Sequence, residues 1–183
     1  MGVVPRTVQK LEKIWHFHPQ IQKIYSAPYR WVVQREARMA EINQEDRVLS
    51  LGCGAIPFSA IFLKEYSGAP VWALDIDAQA LQKAGQLLRK NGIRGINLLR
   101  GNGAEIDLSQ FTVILVALQV EPKKGVLKNF FAGAPEGARL IMRSPRHLFV
   151  PGYDPLPPTP QPCQRISQPL ITFGSSVLYY KNK

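Results

Sequence analysis

Short apolar runs alternate with amphipathic stretches through the middle of the chain. The apolar runs predict β-strands, and they lie at 48–51, 71–74, 96–99, 112–118 and 138–142. The stretches between them carry apolar residues at helical spacing and predict helices at 58–66, 78–90 and 123–132. Strands that alternate with helices in this way indicate an α/β fold with a mostly parallel sheet.

The two ends of the chain follow other patterns. Residues 6–24 have helical periodicity interrupted at Pro19, and a second helix is predicted over about 28–42 with Pro28 in its first turn. These helices predict an N-terminal cap (residues 1–45) ahead of one compact domain (46–183). Residues 151–162 are rich in proline and predict an extended loop. Two β-rich runs, 170–173 and 176–180, flank Gly174-Ser175 and predict an antiparallel hairpin.

Two glycines, in Gly52-Cys53-Gly54, separate the first predicted strand from the helix that follows it. A glycine turn in this position brings a ligand close to the backbone at the carboxyl end of the strand. Asp75 ends the second strand, where an acidic side chain binds the hydroxyls of a ribose. Asn102-Gly103 follows the third strand, and the Asn102 amide is a candidate contact for an adenine edge or an ordinary turn residue. Together these residues predict an adenosine ligand.

Two features favour S-adenosylmethionine over NAD as that ligand. The third glycine of a dinucleotide fingerprint is absent, because residues 55–58 read Ala-Ile-Pro-Phe. The C-terminal hairpin is typical of the class I methyltransferase sheet. Over about residues 46–181, the sequence therefore resembles the class I S-adenosylmethionine-dependent methyltransferase superfamily. This resemblance implies a Rossmann-like fold and S-adenosyl-L-methionine as the cofactor.

One branch of that superfamily is more similar. LGCGAIPFSAIFL and ALDIDAQAL resemble the glycine signature and the Asp-Ile-Asp stretch of nicotianamine synthases. GARLIMRSPRHLFVPGYDP and SSVLYYKNK resemble the last strands of that family. The resemblance implies transfer either of the methyl group or of the 3-amino-3-carboxypropyl group. The signature residues favour the second reaction, and the short N-terminal segment favours the first.

The candidate cofactor residues follow from the strand ends and from this resemblance. They are Leu51, Gly52, Cys53, Gly54, Pro57, Asp75, Ile76, Asn102, Gly103, Ala117 and Leu118. Ala117 and Leu118 end the fourth strand and are expected to flank the methionine part of the cofactor. Asp77 fits the N-cap of the next helix better than Asp75 does. For Cys53, a small filler residue is preferred over a thiol activated by the helix start.

The candidate catalytic residues are Tyr29, Glu36 and Arg143. By resemblance, Tyr29 holds the substrate or the methionine carboxylate, and Glu36 binds an amine or accepts its proton; the alternative is a partly buried tyrosine and a surface glutamate. Arg143 pairs either with a substrate carboxylate or with a carboxylate of the protein. Tyr153-Asp154 is a hypothetical lining of the substrate mouth.

No metal site is expected from the histidines. His16 and His18 lie two positions apart and do not share a helical face. His147 is a candidate base or a surface residue.

Charge and composition leave four functional hypotheses open. The net charge is +10, and residues 121–183 carry nine basic and three acidic side chains. This excess of basic side chains is compatible with RNA binding. No basic run or interleaved aromatic motif supports RNA binding, so nucleic acid is possible and not favoured. The leading hypothesis is methyl transfer to a small-molecule acceptor, and the others are aminocarboxypropyl transfer, RNA modification and a binding module without turnover. No membrane contact, a cytoplasmic location and a possible homodimer are expected.

Overall fold

The structure, a computed structural model, describes residues 19–146, 152–168 and 173–182, with side chains from residue 28 onward except that of residue 173. Four helices are present in these residues: α1 (Pro19–Met39), α2 (Phe58–Ser67), α3 (Ala78–Lys90) and α4 (Lys123–Gly133). The strands are β1 (Val48–Leu51), β2 (Val71–Asp75), β3 (Ile96–Arg100), β4 (Val113–Val116), β5 (Arg139–Pro145), β6 (Gln164–Ser167) and β7 (Phe173–Tyr180).

The seven strands form one sheet in the order β3-β2-β1-β4-β5-β7-β6. The first five are parallel, and β7 pairs antiparallel with both β5 and β6. The strand order reverses between β1 and β4. Ligands of open α/β sheets bind in the crevice outside the carboxyl ends of the strands at such a reversal. The predicted α/β class, Rossmann-like with an antiparallel C-terminal hairpin, is confirmed.

Helices cover both faces of the sheet, which explains the apolar runs of its central strands. All four residues of β1 and all four of β4 are buried, as expected for strands that are covered on both sides. Helices α1, α2 and α3 pack on one face and α4 on the other. Among the described residues, no helix combines the length and apolarity needed to cross a bilayer.

The predicted start of α1 is wrong. The helix begins at Pro19 and continues through Pro28, which the sequence placed in a first turn. An internal proline removes one backbone hydrogen bond. The turns after it bury Val32, Val33 and Ala37 completely against the rest of the protein, and this packing keeps the helix continuous. The helix predicted within residues 6–24 lies largely outside the described residues.

The predicted antiparallel hairpin is present, but Gly174-Ser175 is not its turn. The hairpin is formed by β6 and β7, and Gly174-Ser175 lies inside β7. Residues 170–172 of the predicted first strand lie outside the described residues, and Phe173 belongs to β7. Gly174 has a packing role, because an added Cβ would lie 2.9 Å from Cγ and 3.3 Å from Cα of Arg146. The register of β5 and β7 shifts between Ser144 and Pro145 at the same place. The glycine therefore accommodates a bulge, which sequence alone does not distinguish from a turn.

Candidate cofactor and acceptor site

The turn after β1 needs its two glycines for different reasons. Gly52 has φ +72°, and an added Cβ would lie 2.5 Å from Cγ2 of Val120. Gly54 has φ +62°, but nothing lies within 4 Å of an added Cβ. Gly52 thus lets the loop after β4 pack against the turn. Gly54 keeps the backbone open toward the crevice.

The N–H groups of this turn are already used inside the protein. Gly52 and Cys53 both donate to the carbonyl of Leu74, at 2.8 and 3.1 Å. Gly54 donates to Oδ2 of Asp75 at 2.8 Å. A pyrophosphate binds at a glycine turn by accepting such N–H groups. Their engagement by β2 favours an adenosine ligand without phosphates at this turn.

Asp75 retains the capacity to bind a ligand. Its Oδ2 accepts the bond from Gly54, its Oδ1 accepts one from the N–H of Asp77 at 3.0 Å, and the residue is only half-buried. A carboxylate offers about four acceptor positions, so positions remain for the two hydroxyls of a ribose. Asp77 accepts from the N–H of Gln79 at 2.8 Å and is the N-cap of α3, as predicted.

Ile76 follows this carboxylate and is 68% exposed. A large aliphatic side chain in water beside a carboxylate with free acceptor positions offers an apolar surface that suits a purine ring. The cradle formed by Gly52, Gly54, Asp75 and Ile76 therefore fits S-adenosylmethionine.

The loop after β3 forms a hydrogen-bonded turn that packs against β1. Asn102 accepts from the N–H of Ala104 at 3.0 Å and donates to Oε1 of Glu105 at 3.0 Å. Both the oxygen and the nitrogen of the Asn102 amide are therefore bonded within the turn. This is the turn role that the sequence offers as the alternative to an adenine contact. An added Cβ at Gly103 would lie 2.9 Å from Cδ1 of Leu51, so this glycine lets the loop pack on β1.

Cys53 has the properties of a filler residue. Its side chain is buried beside Asp75. Burial and the Asp75 carboxylate raise the pKa of this thiol to about 12. A thiol with such a pKa is inert near neutral pH. Pro57 is likewise buried, at the start of α2.

The end of β4 faces helix α1 and the proline-rich loop. Ala117 and Leu118 are each 6% exposed. Leu118 packs with Val32 of α1, and Tyr29 and Tyr153 pack against this pair. Two tyrosines from distant segments thus meet at the carboxyl edge of the sheet. We call Tyr29, Val32, Leu118 and Tyr153 the aromatic mouth.

Glu36 and Arg143 form a buried ion pair beneath this edge. Arg143 donates from Nε to Oε1 of Glu36 at 2.9 Å and from Nη2 to Oε2 at 2.7 Å. Both residues are buried, with Glu36 at 0% and Arg143 at 3% exposure. Although burial alone would lower the pKa of the guanidinium, the Glu36 carboxylate raises it above its ordinary value. Arg143 therefore pairs with a carboxylate of the protein, one of its two predicted partners.

Three polar residues that the sequence analysis missed complete this network. Ser176 donates to Oε1 of Glu36 at 2.6 Å, and Arg143 donates to Oγ of Ser59 at 3.0 Å. Gln168 donates to Oγ of Ser176 at 2.9 Å. These bonds tie α1 to α2, β5 and β7. No motif marks the serines or the glutamine, because their roles depend on contacts between segments far apart in sequence.

The histidines considered in the sequence analysis are not part of the described structure. His16, His18 and His147 lie outside the described residues. Within the described ranges, no group of three or more His, Cys, Asp or Glu side chains is arranged to hold a metal ion.

Comparisons with known proteins agree with this geometry. Residues 42–159 match the family described as "Methyltransferase domain". A protein-lysine N-methyltransferase from Saccharolobus islandicus is 30% identical over 126 residues, which cover 68% of this chain and 76% of that protein. An L-histidine 2-aminobutanoyltransferase from Yersinia pestis is 29% identical over 119 residues, covering 65% of this chain but only 45% of that enzyme.

Solved structures share the fold at lower identity. A glutamate-to-glutamine variant of MtNAS in complex with S-adenosylmethionine gives a TM-score of 0.78 at 23% identity, covering 89% of this chain and 65% of that one. An RNA methyltransferase from Salinibacter ruber in complex with S-adenosyl-L-homocysteine gives a TM-score of 0.65 at 18% identity, covering 83% and 91%. These likenesses establish the fold.

The chain belongs to the methyltransferase-domain family. It is a class I S-adenosylmethionine-dependent transferase, and its cofactor is S-adenosyl-L-methionine.

Proposed function

We propose that this protein transfers the methyl group of S-adenosylmethionine to a nitrogen atom of a small-molecule acceptor. The observation that carries the proposal is the contrast across the crevice. The cradle keeps Asp75 available to a ligand, whereas the opposite side has apolar and aromatic walls and a buried, neutralised ion pair. An acceptor bound between Tyr29 and Tyr153 would be small and would carry an uncharged nucleophile.

The residues of the chain bind and orient rather than react. When bound, S-adenosylmethionine supplies an electrophilic carbon next to its positive sulfur. Asp75 holds the ribose, and Ala117 and Leu118 line the path toward the acceptor. Tyr29 and Tyr153 place the acceptor nitrogen about 3 Å from the carbon, in line with the bond that breaks. Such positioning contributes several kcal/mol, on the order of 7, to lowering a two-substrate barrier.

Glu36 and Arg143 act by positioning in this proposal. Glu36 accepts three hydrogen bonds, two from Arg143 and one from Ser176. These bonds and its complete burial commit the carboxylate to groups of the protein, so it is not assigned as the base for the acceptor amine. The acceptor amine therefore arrives unprotonated, and turnover rises with pH through the pKa of that amine.

A second candidate is transfer of the 2-aminobutanoyl (3-amino-3-carboxypropyl) group, and a specific observation favours it. Three of the curated relatives of this chain are L-histidine 2-aminobutanoyltransferases. The chain spans less than two thirds of the length of each of them, so their activity comes to it only as a hypothesis. The two reactions share the cradle. They differ in which carbon of the cofactor faces the acceptor.

The nucleoside product distinguishes the two reactions. The protein is incubated with S-adenosylmethionine and, in separate reactions, with histidine, other amino acids, small amines, a lysine peptide or bulk RNA. Product nucleosides are then measured by mass spectrometry, with Asp75→Ala as the control. Methyl transfer gives S-adenosylhomocysteine, and aminobutanoyl transfer gives methylthioadenosine. Formation of methylthioadenosine in the presence of a small amine would contradict methyl transfer and support the second candidate. S-adenosylhomocysteine formed only with the lysine peptide or with RNA would contradict a small-molecule acceptor.

A further inference from the structure

Lys123 is a buried lysine at the start of α4, and the function proposed above does not use it. Its side chain is 0% exposed. The ammonium donates to three backbone carbonyls: Leu118 at 2.9 Å, Val120 at 3.3 Å and Asp154 at 2.8 Å. An ammonium has three donors, and here each donor has an acceptor. The charged form is therefore satisfied, although burial lowers the pKa of this lysine.

Asp154, in the proline-rich loop, also binds Lys123 through its side chain. Its Oδ2 accepts a hydrogen bond from the backbone N–H of Lys123 at 2.5 Å. Helix α4 has Pro122 at its N-cap position, without a side-chain cap, and no acidic residue in its first turn. Asp154 thus supplies both the missing cap and a negative charge at the positive end of the helix. We call this two-way contact between Lys123 and Asp154 the clasp.

The clasp joins two of the three segments that form the aromatic mouth, the end of β4 and the proline-rich loop. Leu118, whose carbonyl binds the ammonium, also packs its side chain against Val32 of α1. Tyr153 precedes Asp154 and packs against the same pair. Burial, together with the nearby Tyr29 phenol, raises the pKa of Tyr153 above its ordinary value. The spacing between Tyr153 and the end of β4 is therefore fixed by the bonds of one lysine.

A buried ammonium is a costly way to join two loops, because removing it from water is strongly unfavourable. An apolar side chain would fill the same space but could not bind three carbonyls. The neighbouring Lys124 is exposed and takes no part in the clasp. The three hydrogen bonds of Lys123 therefore fix the positions of the carbonyls at the carboxyl edge of β4, which a residue that only filled the space would not do.

We propose that Lys123 is a positioning residue that holds Tyr153 over the acceptor site through Asp154. This inference rests on the proposed function, because it assumes that the acceptor binds in the aromatic mouth. The ammonium donates its hydrogen bonds to Leu118, Val120 and Asp154 and none to the cradle residues Gly52, Gly54 and Asp75, but Val120 also packs against Gly52. Loss of the clasp should therefore impair acceptor binding more than cofactor binding.

The test compares Lys123→Met with Lys124→Met as the matched control. Methionine keeps much of the length of lysine but cannot donate. Hydrogen exchange of peptides covering 152–162 is measured first, without acceptor. Calorimetry then gives the dissociation constant of S-adenosylmethionine, and steady-state kinetics gives KM and kcat for whichever acceptor is turned over.

For Lys123→Met, we expect about tenfold faster exchange in 152–162, about tenfold higher acceptor KM and a smaller rise, of about threefold at most, in the cofactor dissociation constant. Lys124→Met should match the wild type in all three. A lower melting temperature with unchanged loop exchange and unchanged KM would overturn the inference, since it would indicate a structural role alone.

Asp154→Asn is the second variant, in case Lys123→Met does not fold. It removes the negative charge but keeps the backbone carbonyl that binds the ammonium, so we expect the same changes at about threefold size. Unchanged exchange and KM in this variant would overturn the inference. If the wild type turns over no acceptor, the proposed function fails. Slower hydrogen exchange of residues 152–162 in the wild type than in the two variants would still support the clasp.

Discussion

The two sides of the crevice use their polar groups in opposite ways. On the cofactor side, each oxygen of Asp75 accepts one internal hydrogen bond, and the residue is half-buried. On the acceptor side, the Glu36 carboxylate accepts three bonds and is completely buried. The sequence makes both residues candidates for a role in the site, Asp75 by its position at a strand end and Glu36 by resemblance. The difference teaches that remaining acceptor capacity and exposure distinguish a binding carboxylate from one that holds the fold together.

The largest expected effect tests the acceptor side. Glu36→Gln and Arg143→Met should each lower the free energy of unfolding by about 3–5 kcal/mol, because each leaves a buried group without its partner. The double variant Glu36→Leu/Arg143→Met should recover most of that loss, since a hydrophobic pair can replace a buried ion pair. Urea unfolding measures all three. If Glu36→Gln unfolds like the wild type but abolishes turnover, Glu36 acts as a catalytic group and the contrast between the two sides disappears.

The next effect separates the two glycines of the cradle. Gly52→Ala should be the more destabilising change, by about 1–2 kcal/mol for the left-handed backbone with a further cost for the 2.5 Å approach of Val120. Gly54→Ala has only the free-energy cost of the left-handed backbone, and its methyl group projects into the space assigned to the cofactor. We therefore expect Gly54→Ala to be the more stable of the two proteins by thermal unfolding and still to bind S-adenosylmethionine weakly. Wild-type affinity in Gly54→Ala would contradict the assignment of that space.

A smaller effect tests the apolar surface at Ile76. Because its side chain is 68% exposed, Ile76→Ser should leave the melting temperature within a degree or two of the wild-type value. It should weaken S-adenosylmethionine binding by about 1 kcal/mol, roughly fivefold, through lost apolar contact with the purine. Tyr66→Ser is the control, since Tyr66 is a partly exposed aromatic residue away from the cradle. Equal affinities in all three proteins would remove Ile76 from the site.

The smallest effect concerns reactivity at the cradle. With its pKa raised to about 12, Cys53 should be almost wholly protonated at pH 8, so iodoacetamide should modify Cys163 and spare Cys53. Cys163 is exposed. Peptide mass spectrometry of the native protein measures both sites. Modification of Cys53 at a rate similar to that of Cys163 would mean that the turn is less closely packed against β2 than the structure shows.

The sequence predicted the strands and helices around the cradle well because their signals are local. The bounds of α3 agree with the prediction at both ends, and β1 does too. The two glycines and Asp75 lie at strand ends, where backbone direction alone brings them together. For Asn102 the sequence allows either an adenine contact or a role in the turn. The hydrogen bonds to Ala104 and Glu105 place its side chain in the turn.

The acceptor side could not be predicted in the same way, because its contacts are long-range. Glu36 lies 107 positions from Arg143 and 140 from Ser176. Lys123 and Lys124 are identical in type and adjacent, and only tertiary packing buries the first and exposes the second. The same limit explains the errors at Pro28 and Gly174, where packing with distant residues outweighed a local signal.

The most direct test of the account is calorimetric titration of S-adenosylmethionine into the wild-type protein, Asp75→Ala and Asp77→Ala. The two aspartates lie in one turn, but only Asp75 is assigned to the ribose, while Asp77 caps α3. We expect wild-type binding in the micromolar range and nearly wild-type affinity in Asp77→Ala. For Asp75→Ala we expect a loss of at least about 100-fold, consistent with removal of charge-assisted hydrogen bonds. Equal affinities in the two variants, or no binding to the wild type, would contradict the assignment of Asp75 to the ribose.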